Sequence, residues 1–337
     1  MRSLLIKTAV AVSLLGSPIS LTSVSAQEAV SDITAANWRD KAIGRRHANT
    51  WSSWWMSHTW MHSDVRDAWR EGYMGQGTTV TVVDTYDSDL SGGRLTWRWQ
   101  EQSHGDWVAD MTRAVAPRSD VRELSWDSGA APVALSPKGL NVLNLSYAIF
   151  GGETGARQFA SNPNNRVGSI VDYAQNGRAV VVKAAGNDSR ALASDEGRYD
   201  YDSLNLALIG GDSVIFAGAL NKNGGTNGCW WYYCWDQRAD IADYSNYAGN
   251  NAEVQDHFLM VGVERGWTGL GGTSFAAPII SGYAGIVGSK FDRANPTQVT
   301  RRLLDTARTD TIRGYNPSIH GQGEASLARA LAPSHIH

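Results

Sequence analysis

The sequence predicts an α/β fold built around a mostly parallel sheet. Three short runs of β-branched and apolar residues predict buried strands, at residues 78–83, 140–145 and 179–184. Helical patterns lie between them, for example at residues 105–116 and 167–176. Strands that are apolar on both faces and alternate with helices are typical of parallel sheets made of strand–helix–strand units.

Three polar residues follow directly after these predicted strands. They are Asp84, Ser146 and, a few residues beyond its strand, Asn187. In open parallel sheets, ligands bind at the carboxyl ends of the strands. The chemistry of this chain is therefore expected at that edge.

Length and charge exclude some functions. The 337 residues, 42% of them hydrophobic, suffice for a large packed core. The formal net charge of −3, from 30 basic and 33 acidic side chains, offers no basic surface for nucleic acid or anionic membranes. We expect no nucleic-acid partner, while the oligomeric state stays open.

The amino terminus has the pattern of a secretory signal. Arg2 and Lys7 precede a short apolar stretch, and a small-residue cleavage site ends at Ala26. The apolar stretch is shorter than the ~20 residues that span a bilayer. We expect residues 1–26 to be removed and the mature protein to be secreted or periplasmic.

A tryptophan-rich extension follows at residues 27–75. Trp51, Trp54 and Trp55 have the spacing of one helix face, which favours packing on the main domain. An aromatic platform for sugars or peptides is the alternative. The two cysteines of the chain, Cys229 and Cys234, are expected to form a local disulfide because the chain is expected to be exported.

Residues 275–287 are almost all small or apolar and predict a buried helix. Ser274 then lies at the helix start, where unpaired backbone N–H groups and the helix dipole suit a developing oxyanion. Pro278 is expected near the first turn, where its missing N–H costs little. On this pattern alone, Ser274 is also consistent with an ordinary N-cap.

Three sequence blocks distinguish these alternatives. Residues 272–278, Gly-Thr-Ser-Phe-Ala-Ala-Pro, resemble the nucleophile motif of the subtilisin-like serine peptidases (subtilases). Residues 184–188 are similar to the family segment that carries the oxyanion asparagine, and residues 142–148 to its substrate-pairing strand. The resemblance covers residues 63–332 and implies a three-layer subtilisin-like fold, with the peptidase domain at residues 76–332.

The resemblance implies a catalytic triad in the order Asp, His, Ser. Asp84 ends the first strand, and His104 opens the next helix. The implied nucleophile is Ser274, and Asn187 is the implied oxyanion donor. The resemblance thus implies a secreted serine endopeptidase that acts on a polypeptide substrate and requires no cofactor.

The same resemblance implies a pocket for the side chain on the amino side of the cleaved bond. Its small residues predict room for a large apolar side chain. The implied substrate-binding residues are Ser146, Tyr147, Ala148, Ala184, Ala185 and Gly186.

The chain departs from the family pattern beside the triad. Tyr86 stands where a glycine is usual, and Asp106-Trp107 follow His104-Gly105 in place of Thr-His. Asp106 is interpreted as a solvated acid at the helix start or as a second carboxylate acting on His104. No calcium loop matches, so a structural calcium ion stays unassigned.

These departures leave alternative functions open. One is a catalytically weakened subtilisin fold that binds peptides, and another is an acyl transferase on the same triad. A carbohydrate-binding protein built on the tryptophan-rich segment would leave the motifs unexplained.

Overall fold

The structure is a computed structural model that describes residues 59–127, 130–193, 201–226, 228–230 and 233–336. For residues 228–230, 233 and 234 it describes the backbone alone. The predictions of a signal peptide, of a helix around Trp54 and of a disulfide at Cys229 and Cys234 fall outside the described residues or side chains. The backbone does pair Cys229 opposite Cys234 in a two-stranded hairpin.

Ten strands are described. They are β1 Thr78–Asp84, β2 Ser91–Gly93, β3 Gln100–Gln102, β4 Asp120–Ser125, β5 Leu140–Leu145, β6 Val180–Ala184, β7 Val214–Leu220, β8 Gly228–Trp230, β9 Tyr233–Trp235 and β10 Phe258–Gly262.

The described helices number eleven. They are α1 Ser63–Arg70, α2 His104–Val115, α3 Gly152–Ala160, α4 Arg166–Gln175, α5 Ser203–Leu208, α6 Ala252–His257, α7 Arg265–Thr268, α8 Thr273–Lys290, α9 Pro296–Asp305, α10 Pro317–His320 and α11 Leu327–Leu331. Among the described residues, no helix has the length and apolar composition that crossing a bilayer requires.

Six strands form a fully parallel sheet in the order β10-β7-β6-β5-β1-β4. From β1 the chain passes to β4 on one side, and from β5 it proceeds to β10 on the other. The direction of winding therefore changes between β1 and β5. In the register of these neighbours Val83 lies opposite Leu145, so Asp84 and Ser146 follow side by side at the switch point.

Helices flank the sheet, as predicted. Helix α4 packs on β6, and its Val167 and Ile170 share a core cluster with Val181. Because side chains alternate along a strand, Val180 and Val182 face the other layer. That layer contains α8, which contacts five strands of the sheet and also α2.

Helix α8 is buried along most of its length. From Phe275 to Gly288 every residue is buried, Pro278 included. The residues Gly282, Gly285 and Gly288 are small enough for close approach: a Cβ on Gly282 would lie 2.5 Å from Val115 of α2. This close packing fixes the position of the helix against the sheet, and with it the position of the amino terminus of the helix.

The described part of the tryptophan-rich extension packs on the domain. Trp60 and Trp69 are each 1% exposed, and the Trp69 indole donates to the Val115 carbonyl over 3.0 Å. Asp64 of α1 accepts a hydrogen bond from the Ala328 backbone N–H at 3.0 Å, which joins α1 to α11. Residues 59–70 thus contribute to the core of the molecule.

The Asp64 carboxylate gives this contact a pH dependence. Burial alone would raise its pKa, but the hydrogen bond and charge of His62, 2.9 Å away, the Ala328 N–H and the Arg308 charge lower the pKa from 3.8 to about 2. The ionised form therefore favours the folded state, with a contribution of about 2 kcal/mol that is present above pH 4 and lost between about pH 4 and pH 2.

We predict that Asp64→Asn lowers the free energy of unfolding at neutral pH, and that its difference from the wild type shrinks as the pH falls from 4 towards 2. Urea unfolding over this pH range measures it. Asp67→Asn, which alters an exposed ion pair on the same helix, is the control. An equal difference at all pH values would contradict the assignment.

Candidate active site

Asp84 and His104 are in direct contact. The Asp84 Oδ1 atom lies 2.7 Å from His104 Nδ1 and also accepts the Thr85 backbone N–H at 2.7 Å. The Asp84 side chain is 1% exposed, whereas that of His104 is 32% exposed. A buried carboxylate on Nδ1 fixes the imidazole ring and leaves Nε2 as the site of proton exchange.

Local structure explains the position of His104. Ser103 caps α2 by accepting the Asp106 N–H at 3.2 Å, and its hydroxyl donates to the Asp106 carboxylate at 2.6 Å. Asp106 is therefore engaged in capping the helix on which His104 lies, which favours the helix-start interpretation over a second carboxylate on the imidazole.

Two residues that depart from the family pattern, Tyr86 and Trp107, pack against neighbouring parts of the domain. The Tyr86 hydroxyl donates to the Val82 carbonyl at 3.0 Å, and its ring covers Gly105, where a Cβ would lie 2.8 Å from the ring. Trp107 is 1% exposed, and its indole donates to the Ser91 carbonyl at 2.9 Å. Burial raises the pKa of Tyr86, so its phenol stays protonated as a hydrogen-bond donor.

Ser274 is the second residue of α8, and it forms two hydrogen bonds with Ser146. The Ser274 hydroxyl donates to the Ser146 carbonyl at 3.1 Å, and the Ser146 hydroxyl donates to the Ser274 carbonyl at 2.9 Å. The ring of Phe275, the next residue, lies 5.8 Å from the His104 ring. The candidate nucleophile is therefore the direct chain neighbour of a residue whose ring contacts the candidate base.

Pro278 lies in the sixth position of α8, beyond the first turn where the sequence had placed it. In an α-helix the N–H of residue 278 would donate to the carbonyl of residue 274, and proline has no N–H. The Ser146 hydroxyl supplies the missing donor. Proline in this place thus frees one carbonyl of α8 for a bond to Ser146, the residue that follows β5.

The bond continues as a buried chain of side chains. Ser281, two turns further along α8, donates to Asn144 Oδ1 at 3.0 Å, and Asn144 Nδ2 donates to the Ser146 hydroxyl at 3.0 Å. Ser281 and Asn144 are both 0% exposed. Each hydroxyl and carboxamide group in the chain is bonded to its neighbour, so the groups orient one another.

Asn187 is oriented by the residue before Ser274. Its Oδ1 accepts the Thr273 backbone N–H at 2.8 Å and the Thr273 hydroxyl at 3.0 Å. The amide nitrogen then lies beside Gly272, where a Cβ would approach it to 3.3 Å and where φ is +128°. A glycine at position 272 therefore leaves space for the Asn187 amide at the amino terminus of α8.

A pocket of about 240 Å³ opens beside Ser274 and Asn187. All six predicted substrate-binding residues line it: Ser146, Tyr147, Ala148, Ala184, Ala185 and Gly186. The structure therefore brings the predicted residues together at one edge of the sheet. Among the described residues, no group of three or more His, Cys, Asp or Glu side chains is arranged to hold a metal ion.

Comparison with known proteins identifies the family. The model of the subtilase family of peptidases matches residues 86–324, more than two thirds of the chain. The chain belongs to the subtilase family. The matched range includes His104, Asn187 and Ser274 and begins two residues after Asp84. This confirms the resemblance seen in the motifs, and the chain is a serine-type endopeptidase.

Two relatives match this chain over most of their own length. The chain is 25% identical over 295 residues to a thermostable alkaline protease of Halalkalibacterium halodurans, covering 79% of this chain and 71% of the relative. It is 26% identical over 269 residues to subtilisin DY of Bacillus licheniformis, covering 70% and 86%. A solved protease structure from Pseudoalteromonas arctica is 20% identical, covers 82% of this chain and 96% of its own, and aligns with a TM-score of 0.49.

Sequence reasoning missed several polar residues of the pocket, among them Lys183, Asp202 and Asn205. Lys183 interrupts the apolar run of β6, which is a signal that the predicted apolar strand passed over. Asp202 and Asn205 gave no local signal because their partners on β6 and just after it lie about twenty residues away.

We predict that Ser281→Ala lowers the free energy of unfolding by about 1–2 kcal/mol, because it leaves the buried Asn144 Oδ1 without its donor. Denaturant unfolding measures the loss. Ser161→Ala, which removes an exposed hydroxyl, is expected to change stability by less than about 0.5 kcal/mol. Equal effects of the two substitutions would contradict a role for the buried chain.

Proposed function

We propose that the chain is an exported serine endopeptidase whose nucleophile is Ser274, with His104 as general base and Asp84 as its partner. The observation that carries the proposal is the buried Asp84 carboxylate, 2.7 Å from His104 Nδ1, on an imidazole whose ring lies 5.8 Å from that of Phe275, the residue after Ser274. Among the described residues no second carboxylate pairs with the imidazole, since Asp106 is used in the helix cap.

In the proposed reaction, the Ser274 hydroxyl turns from the Ser146 carbonyl towards the substrate and passes its proton to His104 Nε2. The oxygen attacks the carbonyl carbon of the peptide bond. Asp84 stabilises the imidazolium that forms, and His104 then gives the proton to the leaving amine. Water hydrolyses the resulting acyl-enzyme by the same route, and Ser274 is regenerated.

The proposed oxyanion donors are the Asn187 side-chain amide and the Ser274 backbone N–H. Thr273 occupies the Asn187 oxygen, so the amide nitrogen is directed away from that contact. The Ser274 N–H belongs to the first turn of α8, where backbone donors have no intrahelical acceptor. Donors held in place before the reaction cost no reorganisation when the oxyanion forms.

Export is part of the proposal. Its support is the signal-like pattern of residues 1–26, with basic residues before a short apolar stretch and a cleavage site at Ala26.

We predict that a fluorophosphonate probe labels the mature protein at Ser274, and that Ser274→Ala and His104→Ala abolish labelling. Mass spectrometry of the adduct measures this, and the same intact mass is expected to show a chain beginning at Gln27. Ser289→Ala, at the other end of the same helix, is the control and should label normally. A folded protein that stays unlabelled would contradict the proposal and favour a peptide-binding function.

We predict that Asn187→Ala lowers kcat by roughly 10²–10³, with a small change in KM, because the donor acts mainly in the transition state. Steady-state kinetics on a cleaved peptide, with transferred products counted apart from hydrolysed ones, provides both constants. Asn176→Ala, at an exposed helix end, should leave kcat unchanged. An unaltered kcat in the Asn187 variant would remove this residue from the oxyanion site.

A further inference from the structure

Two side chains that line the pocket beside Ser274 form a buried ion pair. The side chains of Lys183 and Asp202 are 1% and 9% exposed, and Lys183 Nζ lies 2.8 Å from Asp202 Oδ2. Both residues line the pocket. Charges that are buried to this degree occur in proteins only as pairs. The pair therefore lines the pocket with polar groups and adds no net charge.

Both partners are held in place by the backbone. Asp202 caps α5, and its Oδ1 accepts the backbone N–H groups of Ile149 and Leu204, each at 3.0 Å. Lys183 Nζ donates to the Ala184 carbonyl at 2.8 Å. A lysine ammonium has three N–H donors. Within the part of the chain that the structure describes, the Ala184 carbonyl accepts one of them, and Asp202 Oδ2, although 2.8 Å away, has no hydrogen-bond partner, so Lys183 keeps at least one N–H donor.

Asn205 adds an acceptor to the same pocket. Its Nδ2 donates to the Ala185 carbonyl at 3.2 Å, which determines which way the amide faces. Its Oδ1 is buried, and no described residue donates to it. The pocket therefore presents a buried acceptor on Asn205 and a remaining donor on Lys183.

We propose that this pocket selects a neutral side chain that both donates and accepts hydrogen bonds, namely the carboxamide of glutamine or asparagine, on the amino side of the cleaved bond. The proposal rests on the proposed function of Ser274. The carboxamide NH₂ would donate to Asn205 Oδ1, and the carboxamide oxygen would accept from Lys183 Nζ. Lys183 and Asn205 are then the specificity-determining residues.

An apolar side chain fits this pocket poorly. It would cover the Asn205 oxygen and the Lys183 N–H, and buried polar groups without a partner are costly. The small residues Ala184 to Gly186 line the walls, and from them alone the sequence led us to expect a large apolar side chain. The present proposal differs from that expectation because it takes Lys183, Asp202 and Asn205 into account.

Charged side chains are disfavoured because the charges of the pocket already cancel. A lysine or glutamate side chain would bring one net charge beside the Lys183–Asp202 pair, with no counter-charge left to neutralise it. The second pair lining the pocket, Arg190 and Asp188, 3.6 Å apart, is also neutral as a whole.

The test uses the mature full chain and peptides that differ only in the residue before the cleaved bond: Gln, Asn, Met, Leu, Glu and Lys. Met matches Gln in length without its hydrogen bonds, and Glu matches it in shape with a charge. We expect kcat/KM for Gln or Asn to exceed that for Met and Leu by roughly 10- to 100-fold, with Glu and Lys also below the amides.

Two variants locate the effect. Asn205→Leu, and the double change Lys183→Met with Asp202→Asn, should each lower the ratio of Gln to Met cleavage by about tenfold. The matched control is Arg178→Met with Asp172→Asn, which removes an exposed ion pair and should leave the ratio unchanged. Fluorophosphonate titration of each protein counts active molecules, so a variant that folds poorly does not distort the ratio.

The outcomes separate this inference from the proposed function. A protein that labels at Ser274 but prefers Met, Leu, Glu or Lys overturns the specificity and leaves the nucleophile intact. A ratio that the two pocket variants do not change also overturns it. A protein that neither labels nor cleaves overturns both proposals.

Discussion

The burial of helix α8 determines where the candidate nucleophile lies. Every residue from Phe275 to Gly288 is enclosed by the sheet and α2, so the helix can neither rotate nor slide without exposing apolar surface or creating overlaps at its glycines. Ser274 sits at the end of this helix. Its position relative to the strand ends is therefore a property of the core, and it does not depend on loop conformation.

Pro278 and Ser146 show how the sheet and the helix are joined at that point. The proline removes the N–H that would pair with the Ser274 carbonyl, and the Ser146 hydroxyl takes its place. The buried chain through Asn144 to Ser281 then fixes Ser146 itself. The ends of β1 and β5 are neighbours in the sheet. This pairing and the chain of hydrogen bonds together place Asp84 and Ser274 at the same edge of the sheet.

Much of the fold and of the candidate triad could be predicted from local sequence. The apolar runs of β1, β5 and β6 and the patterns of α2, α4 and α8 are local signals, and the structure confirms them. Asp84, His104 and Ser274 were found because they lie in short motifs. Lys183, Asp202 and Asn205 were missed because their meaning depends on contacts between segments far apart in the chain. Tyr86 likewise gave no sign of which way its ring would turn.

We propose that Asp84, His104, Asn187 and Ser274 act on one substrate carbonyl. The most direct measurement is a crystal structure of the mature protein with a peptide boronic acid. We expect boron bonded to Ser274 Oγ, one boronate oxygen within hydrogen-bond distance of Asn187 Nδ2, and His104 still paired with Asp84. A boronate bound elsewhere, or one whose oxygens face away from Asn187, would contradict the account.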